Sequence, residues 1–326
     1  MRFQSSGQVI LASITVVYLF GVYFAASPVW MGFTINALII TIAALSWNIT
    51  GGFGGLSSFG HAALYGTGAY ASAILQVKFG VSAWIAFGAG IAAASLMGAF
   101  IGGLSFRYGL KGSYFALVTL AFAEVLRICA SSFEITGGGS GLQLKLAPGF
   151  ATLQWQDRPT LYTVLLGAVA LVMGLTALIK QSRFGAYLVA IRENEDAAEA
   201  LGIDTYTVKV QAMAISGAFA GLAGILYLQL WLFIDSTIVY GSTVSVEALI
   251  GPIIGGAGTV WGPLLGTLGL HLLGEASKHL LPNAPGLNFV LYALVLIIAL
   301  RFLPQGLVGW AGLWGARADR SDSDDA

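Results

Sequence analysis

Residues 29–60 read VWMGFTINALIITIAALSWNITGGFGGLSSFG, without one Asp, Glu, Lys or Arg among them. A helix needs ~20 predominantly apolar residues to cross ~30 Å of hydrocarbon, and it is the fold that satisfies its own backbone hydrogen bonds there. Val29 to Thr50 meets that length. It then runs into Gly51, Gly52, Gly54, Gly55 and Gly60, a density of glycine able to break a helix at membrane depth. The stretch therefore predicts a membrane helix that is interrupted rather than simply ended.

Outward from it the same pattern repeats. By the length rule the chain holds about ten candidate spans: Val9 to Ala26, Val29 to Thr50, His61 to Val77, Val81 to Phe106, Ser113 to Ser131, Thr160 to Lys180, Val208 to Phe233, Val244 to Gly258, Gly262 to Leu281 and Leu287 to Leu303. The third and eighth are short and glycine-interrupted, so each is either re-entrant or part of a broken helix, leaving about eight full crossings. Composition agrees, with 57% hydrophobic and 9% charged residues against roughly 25% charged in a soluble domain. The expectation is an all-α, polytopic transmembrane bundle of about 8–10 spans, a single domain over residues 1–315 with a polar, acidic tail at 316–326.

The formal net charge is zero, which leaves no basic surface for nucleic acid. With the N-terminus inside, one side collects Arg2, Arg107, Lys111, Lys180, Arg183, Arg192, Lys209, Arg301, Arg317 and Arg320, and the other Lys78, Arg127, Lys145, Arg158 and Lys278. Cytoplasmic loops are the ones enriched in Lys and Arg, so both termini are expected in the cytoplasm. Cys129 stands alone in an apolar run, where a small buried hydrophobe is the ordinary reading.

Two loops are long. The outer one, 132–159, carries the flexible run Thr136 to Leu142 (TGGGSGL), and the inner one, 181–207, is rich in Ala, Glu, Leu and Arg and predicts helix, with Gly202 at a C-cap position. No Gly-Lys pair occurs, so the chain lacks the phosphate loop it would need to hydrolyse nucleotide itself. His61, His271 and His279 are the only histidines, without metal-ligand spacing. No cofactor or metal is expected, and no enzyme site is visible.

Glycines four apart, Gly98 and Gly102, Gly217 and Gly221, Gly262 and Gly266, suit close helix packing in lipid. The clusters at 51–60 and 251–258 (GPIIGGAG) are dense enough to break helices, the usual pointer to a transport site, or else are plain cytoplasmic turns. Ionisable residues inside spans are functional candidates. Glu124 and Arg127 are three apart on one helix face and form either a structural pair or part of a pathway. Glu247 and Glu275 sit in apolar surroundings, and His61 is either a polar gate or a hydrogen-bonded structural histidine.

At this point a resemblance is carried by ordered blocks. Asn48 to Tyr70 (NITGGFGGLSSFGHAALYGTGAY), Leu110 to Arg127 (LKGSYFALVTLAFAEVLR) with the glycine loop 136–142, and Ala190 to Ile203 (AIRENEDAAEALGI) with Ser216 to Gly224 and Gly255 to Pro263 resemble branched-chain amino acid ABC transporter permeases of the LivM type. The likeness spans about Asn36 to Leu307. It implies a bacterial inner-membrane importer in which a second, homologous permease subunit completes the pore, two ATPase subunits dock on the cytoplasmic face, and an extracytoplasmic binding protein delivers a small polar substrate. The segment Asp196 to Gly202 fits the family's docking pattern of an acidic residue, two alanines and a later glycine. That places Asp196, Ala197, Ala198, Glu199 and Gly202 against the ATPase, with Arg192 and Glu193 at the rim. Ala186 and Val189 depart from the family, which commonly has arginine there. Asn48, Ser57, His61, Glu124 and Arg127 are the expected pathway residues. The family also includes importers of other amino acids and of urea or short amides. An ion-coupled secondary transporter is the reading from another class, disfavoured by the long helical inner loop.

Overall fold

In the computed structural model, residues 28–155 and 157–280 are described, with positions 290, 293, 294, 297, 301 and 306–308 beyond them. The expected span 9–26, most of 287–303, and the tail 316–326 lie outside the described residues.

Helix α1, Pro28–Trp47, continues without a cap into a π-helical turn, Asn48–Phe53. After irregular residues 54–60 comes α2, His61–Val77, then α3, Ala83–Arg107, and α4, Gly112–Ser132. Helix α5, Arg158–Gln181, leads into two short helices, α6, Arg183–Glu193, and α7, Glu195–Ala200. Helix α8, Thr205–Trp231, follows, then α9, Ser236–Val239, α10, Ser242–Gly255, and α11, Gly262–Leu280. Strands β1, Leu142–Gln143, and β2, Phe233–Ile234, form one antiparallel pair in the register Leu142 to Ile234.

Among the described residues six helical stretches are long and apolar enough to cross a membrane: Met31–Phe53, Ala83–Arg107, Gly112–Ser132, Arg158–Gln181, Thr205–Trp231 and Ser236–Gly255. The chain is a multi-pass membrane protein. The β pair and the Trp84 indole, which donates to the Phe150 carbonyl at 3.0 Å, gather the loops after α4 and α8 and the start of α3 at one end. The ion pair of Lys111 with Glu195, 3.2 Å, gathers the α3–α4 turn and the α6–α7 segment at the other.

The two short segments differ: the break lies before the third and within the last residues of the eighth. Helix α2 is continuous over 17 residues, and its break is the preceding segment 54–60. There the Phe59 N–H donates to Thr119 Oγ1 at 3.1 Å, which places the segment about 10 Å along α4 from its start. Helix α10 runs through Pro252 to Gly255, and the chain then turns at Gly256 and Gly258, φ +125° and +75°.

Helix α1 is the most enclosed span and α4 the least. Apolar residues of α1, including Ile35, Leu38, Ile39, Ile42 and Leu45, are fully buried and share one core with α5, α8, α10 and α11. With lipid tails as apolar as leucine, close backbone approach rather than the hydrophobic effect must hold helices together. Glycine supplies it. A Cβ on Gly98 would strike the Met213 carbonyl, one on Gly217 the Ala94 carbonyl, and one on Gly266 the Gly251 carbonyl. The expected glycine pairs thus sit at the α3–α8 and α10–α11 contacts. Cys129 is half-buried rather than enclosed, because it lies on the thinly covered α4.

Candidate functional site

The polar loop between α5 and α8 folds because three side chains start its helices. Ser182 Oγ accepts from the Gly185 N–H at 3.2 Å, Asn194 Oδ1 from Ala197 at 3.0 Å, and Asp204 Oδ1 from Thr207 at 3.1 Å, each satisfying an amide that the first helical turn leaves orphaned. Gly202 follows α7 at φ +85°, the left-handed conformation that favours glycine at such an end. Ala198 is buried, while Asp196, Ala197, Glu199, Leu201 and Gly202 are exposed. Leu201 is thus exposed between the small residues Ala197 and Gly202.

The loop is tethered by ion pairs of Glu195 with two lysines. Glu195 faces Lys209 on one oxygen and Lys111 on the other at 3.2 Å. Partial burial pushes the Glu195 carboxyl up, but the hydrogen bonds and charges of Lys209 and Lys111 outweigh it and hold the group below its ordinary value. The same contact, foremost its hydrogen bond, holds Lys111 above the usual lysine range. Lys209 is almost wholly buried, with its ammonium 4.9 Å from the centre of the Phe106 ring. The signal in the sequence was a lysine at the head of an apolar span.

The two glycine clusters, some 200 residues apart in sequence, meet. Asn48 Nδ2 donates to the Thr259 carbonyl at 2.7 Å and Asn48 Oδ1 accepts from the Gly258 N–H at 2.8 Å. The approach requires glycine, because a Cβ on Gly52 would stand 2.6 Å from the Gly258 nitrogen. Arg192 reaches the same place: its Nη1 donates to the Gly52 carbonyl at 3.0 Å, and its stem lies over Gly55, where a Cβ would stand 2.6 Å from Arg192 Cγ. Glu193 takes the remaining guanidinium N–H groups at 3.1 and 2.7 Å. Arg192 is thus turned inward as well as lying on the loop.

The expected pathway residues divide. Asn48 is buried in the bridge just described. His61 is also buried, with Nε2 2.9 Å from Ser216 Oγ, while Ser216 exchanges hydrogen bonds with Ser46 across α1 and α8. Its Nδ1 is buried without a hydrogen-bond partner among the described residues. Ser57 and Phe59 are exposed. So is Glu124, which takes Arg127 Nε at 2.9 Å. Phe59 is held at Thr119, and Glu124 lies about 7 Å further along the α4 axis but about 140° around it, so the buried Thr119 and the exposed Glu124 stand on different faces of the helix. Tyr114, Leu117, Leu120, Val125 and Ile128 are exposed on the same helix.

The family model for the branched-chain amino acid transport system permease component matches residues 29–300. The chain is 27% identical over 296 residues to the high-affinity branched-chain amino acid transport system permease protein LivM of Escherichia coli (strain K12), covering 83% of this chain and 68% of that protein. It is 26% identical over 313 residues to the probable branched-chain amino acid transport permease protein LivM of Methanocaldococcus jannaschii, covering 82% and 89%. It is also 26% identical over 287 residues to the permease protein LivH of Escherichia coli (strain K12), covering 82% and 90%. No solved structure matches the chain.

Proposed function

Since this chain belongs to the family of branched-chain amino acid transport system permease components, we propose that it is the membrane subunit of an ATP-driven importer for branched-chain amino acids, forming half of the translocation pathway. The observation that carries the proposal is the match over residues 29–300, which takes in both glycine clusters and the whole polar loop.

The reading assigns the parts as follows. Residues 1–315 act as one transmembrane domain with both termini in the cytoplasm of a bacterial inner membrane. The loop 181–207 is the docking element for two ATPase subunits, which hydrolyse ATP on this chain's behalf. Asp196, Ala197, Ala198, Glu199 and Gly202 form the seat, and Arg192 and Glu193 border it. A homologous second permease, of the kind the two named relative types suggest, completes the pore. An extracytoplasmic binding protein brings the substrate to the end marked by β1 and β2.

Ser57, Glu124 and Arg127 line the pathway, and Asn48 and His61 support it from behind. The support for this is physical. An ion pair on the outward face of a membrane helix is costly against lipid, so the α4 flank faces protein or water. Movement of the loop helices on nucleotide binding would shift the spans around that flank.

Uptake of leucine, isoleucine and valine by the assembled transporter, with the cognate binding protein and ATP, tests the reading. Asp196→Arg and Gly202→Pro should each abolish uptake at unchanged membrane abundance. Wild-type uptake in both variants would sink the docking role, and uptake independent of ATP would favour an ion-coupled carrier instead.

A further inference from the structure

We propose that Arg192 is a positioning residue for coupled transport, a strut that ties the docking loop to the first glycine turn and, through Asn48, to the second. The proposal rests on the reading of loop 181–207 as the ATPase seat.

The geometry has three parts. Gly52 lies in the π-helical turn that extends α1, where the widened ladder and the helix end leave carbonyls without an intrahelical partner. Arg192 Nη1 caps the Gly52 carbonyl at 3.0 Å, placing a cation at the negative end of a long helix. The guanidinium cannot swing away freely, because Glu193 holds its Nε and Nη2 and its stem is seated over Gly55.

The second turn lies beside the same atoms. A Cβ added to Gly258 would lie 3.1 Å from the Gly52 carbonyl oxygen and 3.2 Å from Arg192 Nη1, so the second turn stands beside the contact of the guanidinium with the first. Asn48 then locks them together, accepting from Gly258 and donating to Thr259. A side chain whose sole purpose was to grip a partner at the rim would need no contact with the bundle, but this one, although partly exposed, bonds Gly52 and packs over Gly55. A displacement of α6 and α7 therefore moves the ends of α1 and α10 together, as one joint. Asn48 is the second member of that joint.

The test uses the complete transporter in proteoliposomes, with binding protein and labelled leucine, reading uptake and ATP hydrolysis together. Arg192→Gln should retain the ATPase subunits while uptake per ATP hydrolysed falls about tenfold, the scale of losing one charge-assisted hydrogen bond. Arg192→Lys, which can still place one charge on the carbonyl, should recover at least half of the ratio. Should Arg192→Gln fail to accumulate, the exposed Glu193→Gln gives the same reading, with a loss of about threefold as the clamp loosens. An unchanged ratio in whichever glutamine variant accumulates overturns the strut. So does shedding of the ATPase subunits by Arg192→Gln to the extent seen in Asp196→Arg, since that would make it a partner contact. If the wild-type complex itself neither holds ATPase subunits nor needs ATP, the docking reading has failed and the strut falls with it.

Discussion

Lys209, buried at the first turn of α8, meets its counter-charge in Glu195 of α7, fourteen residues earlier. The pairing decides how firmly the 181–207 loop is held. A buried lysine deprived of its partner stays dehydrated without compensation, the costly half of any buried ion pair. Glu195→Ala is expected to lower stability by about 2 kcal/mol, below the full cost because Glu195 retains some exposure. Thermal unfolding in detergent checks it, and Lys209→Met in the Glu195→Ala background should recover most of the loss.

The same contact sets a pH dependence. The Glu195 carboxyl is held below its ordinary value of 4.5 in the folded chain. Its contribution is therefore complete above that value and is lost as pH falls through the lower, folded one. Lys111 is held above its ordinary 10.5, so its share is complete below that value and lost as pH rises past the raised one. Protease resistance of the 183–204 segment should stay flat between, fall at the acid end in wild type, and lose that acid limb in Glu195→Gln.

Glycines in membrane helices divide by what stands over them. A methyl on Gly98 meets the Met213 carbonyl, whereas one on Gly174 of α5 meets nothing within 4 Å. Gly98→Ala should destabilise by about 1–3 kcal/mol through forced separation of α3 and α8. Gly174→Ala should be neutral or stabilising by up to about 1 kcal/mol, since it removes only unfolded-state freedom. Midpoints of thermal unfolding of the two variants should move in opposite directions, or the second not at all.

Water access separates pathway from lipid. In a Cys129→Ser background, Ser57→Cys and Glu124→Cys should react with a membrane-impermeant thiol reagent in the assembled transporter, at rates that change with added ATP. Leu171→Cys, exposed on α5, should stay unreactive. Equal reactivity at all three positions would remove the assignment of the α4 flank to the pathway.

Much of this fold was legible before any coordinates, for a simple reason. A bilayer imposes a length and a polarity on each span, so Ala83–Arg107 or Arg158–Gln181 could be bounded from composition alone. The turn at Gly202 likewise acts locally and is legible, whereas the N-caps Ser182, Asn194 and Asp204 stand out only once the helix starts are known. The meeting of the 51–60 and 251–258 clusters was not legible, because it depends on how α1 and α10 pack. Nor was the inward turn of Arg192. One arginine in a charged helix has the same sequence signal whether it faces a partner or its own bundle, and only the folded chain shows its stem packed over Gly55.

The Glu124–Arg127 pair on α4 carries a consequence for how such a subunit is made. A chain released by the translocon before its partner arrives presents two formal charges to the acyl chains. Their mutual neutralisation makes that state survivable but not comfortable. Solitary copies should be recognised by membrane quality-control proteases and cleared faster than paired ones. If a second permease covers that face, as proposed above, co-expression with it should lengthen the half-life of this chain.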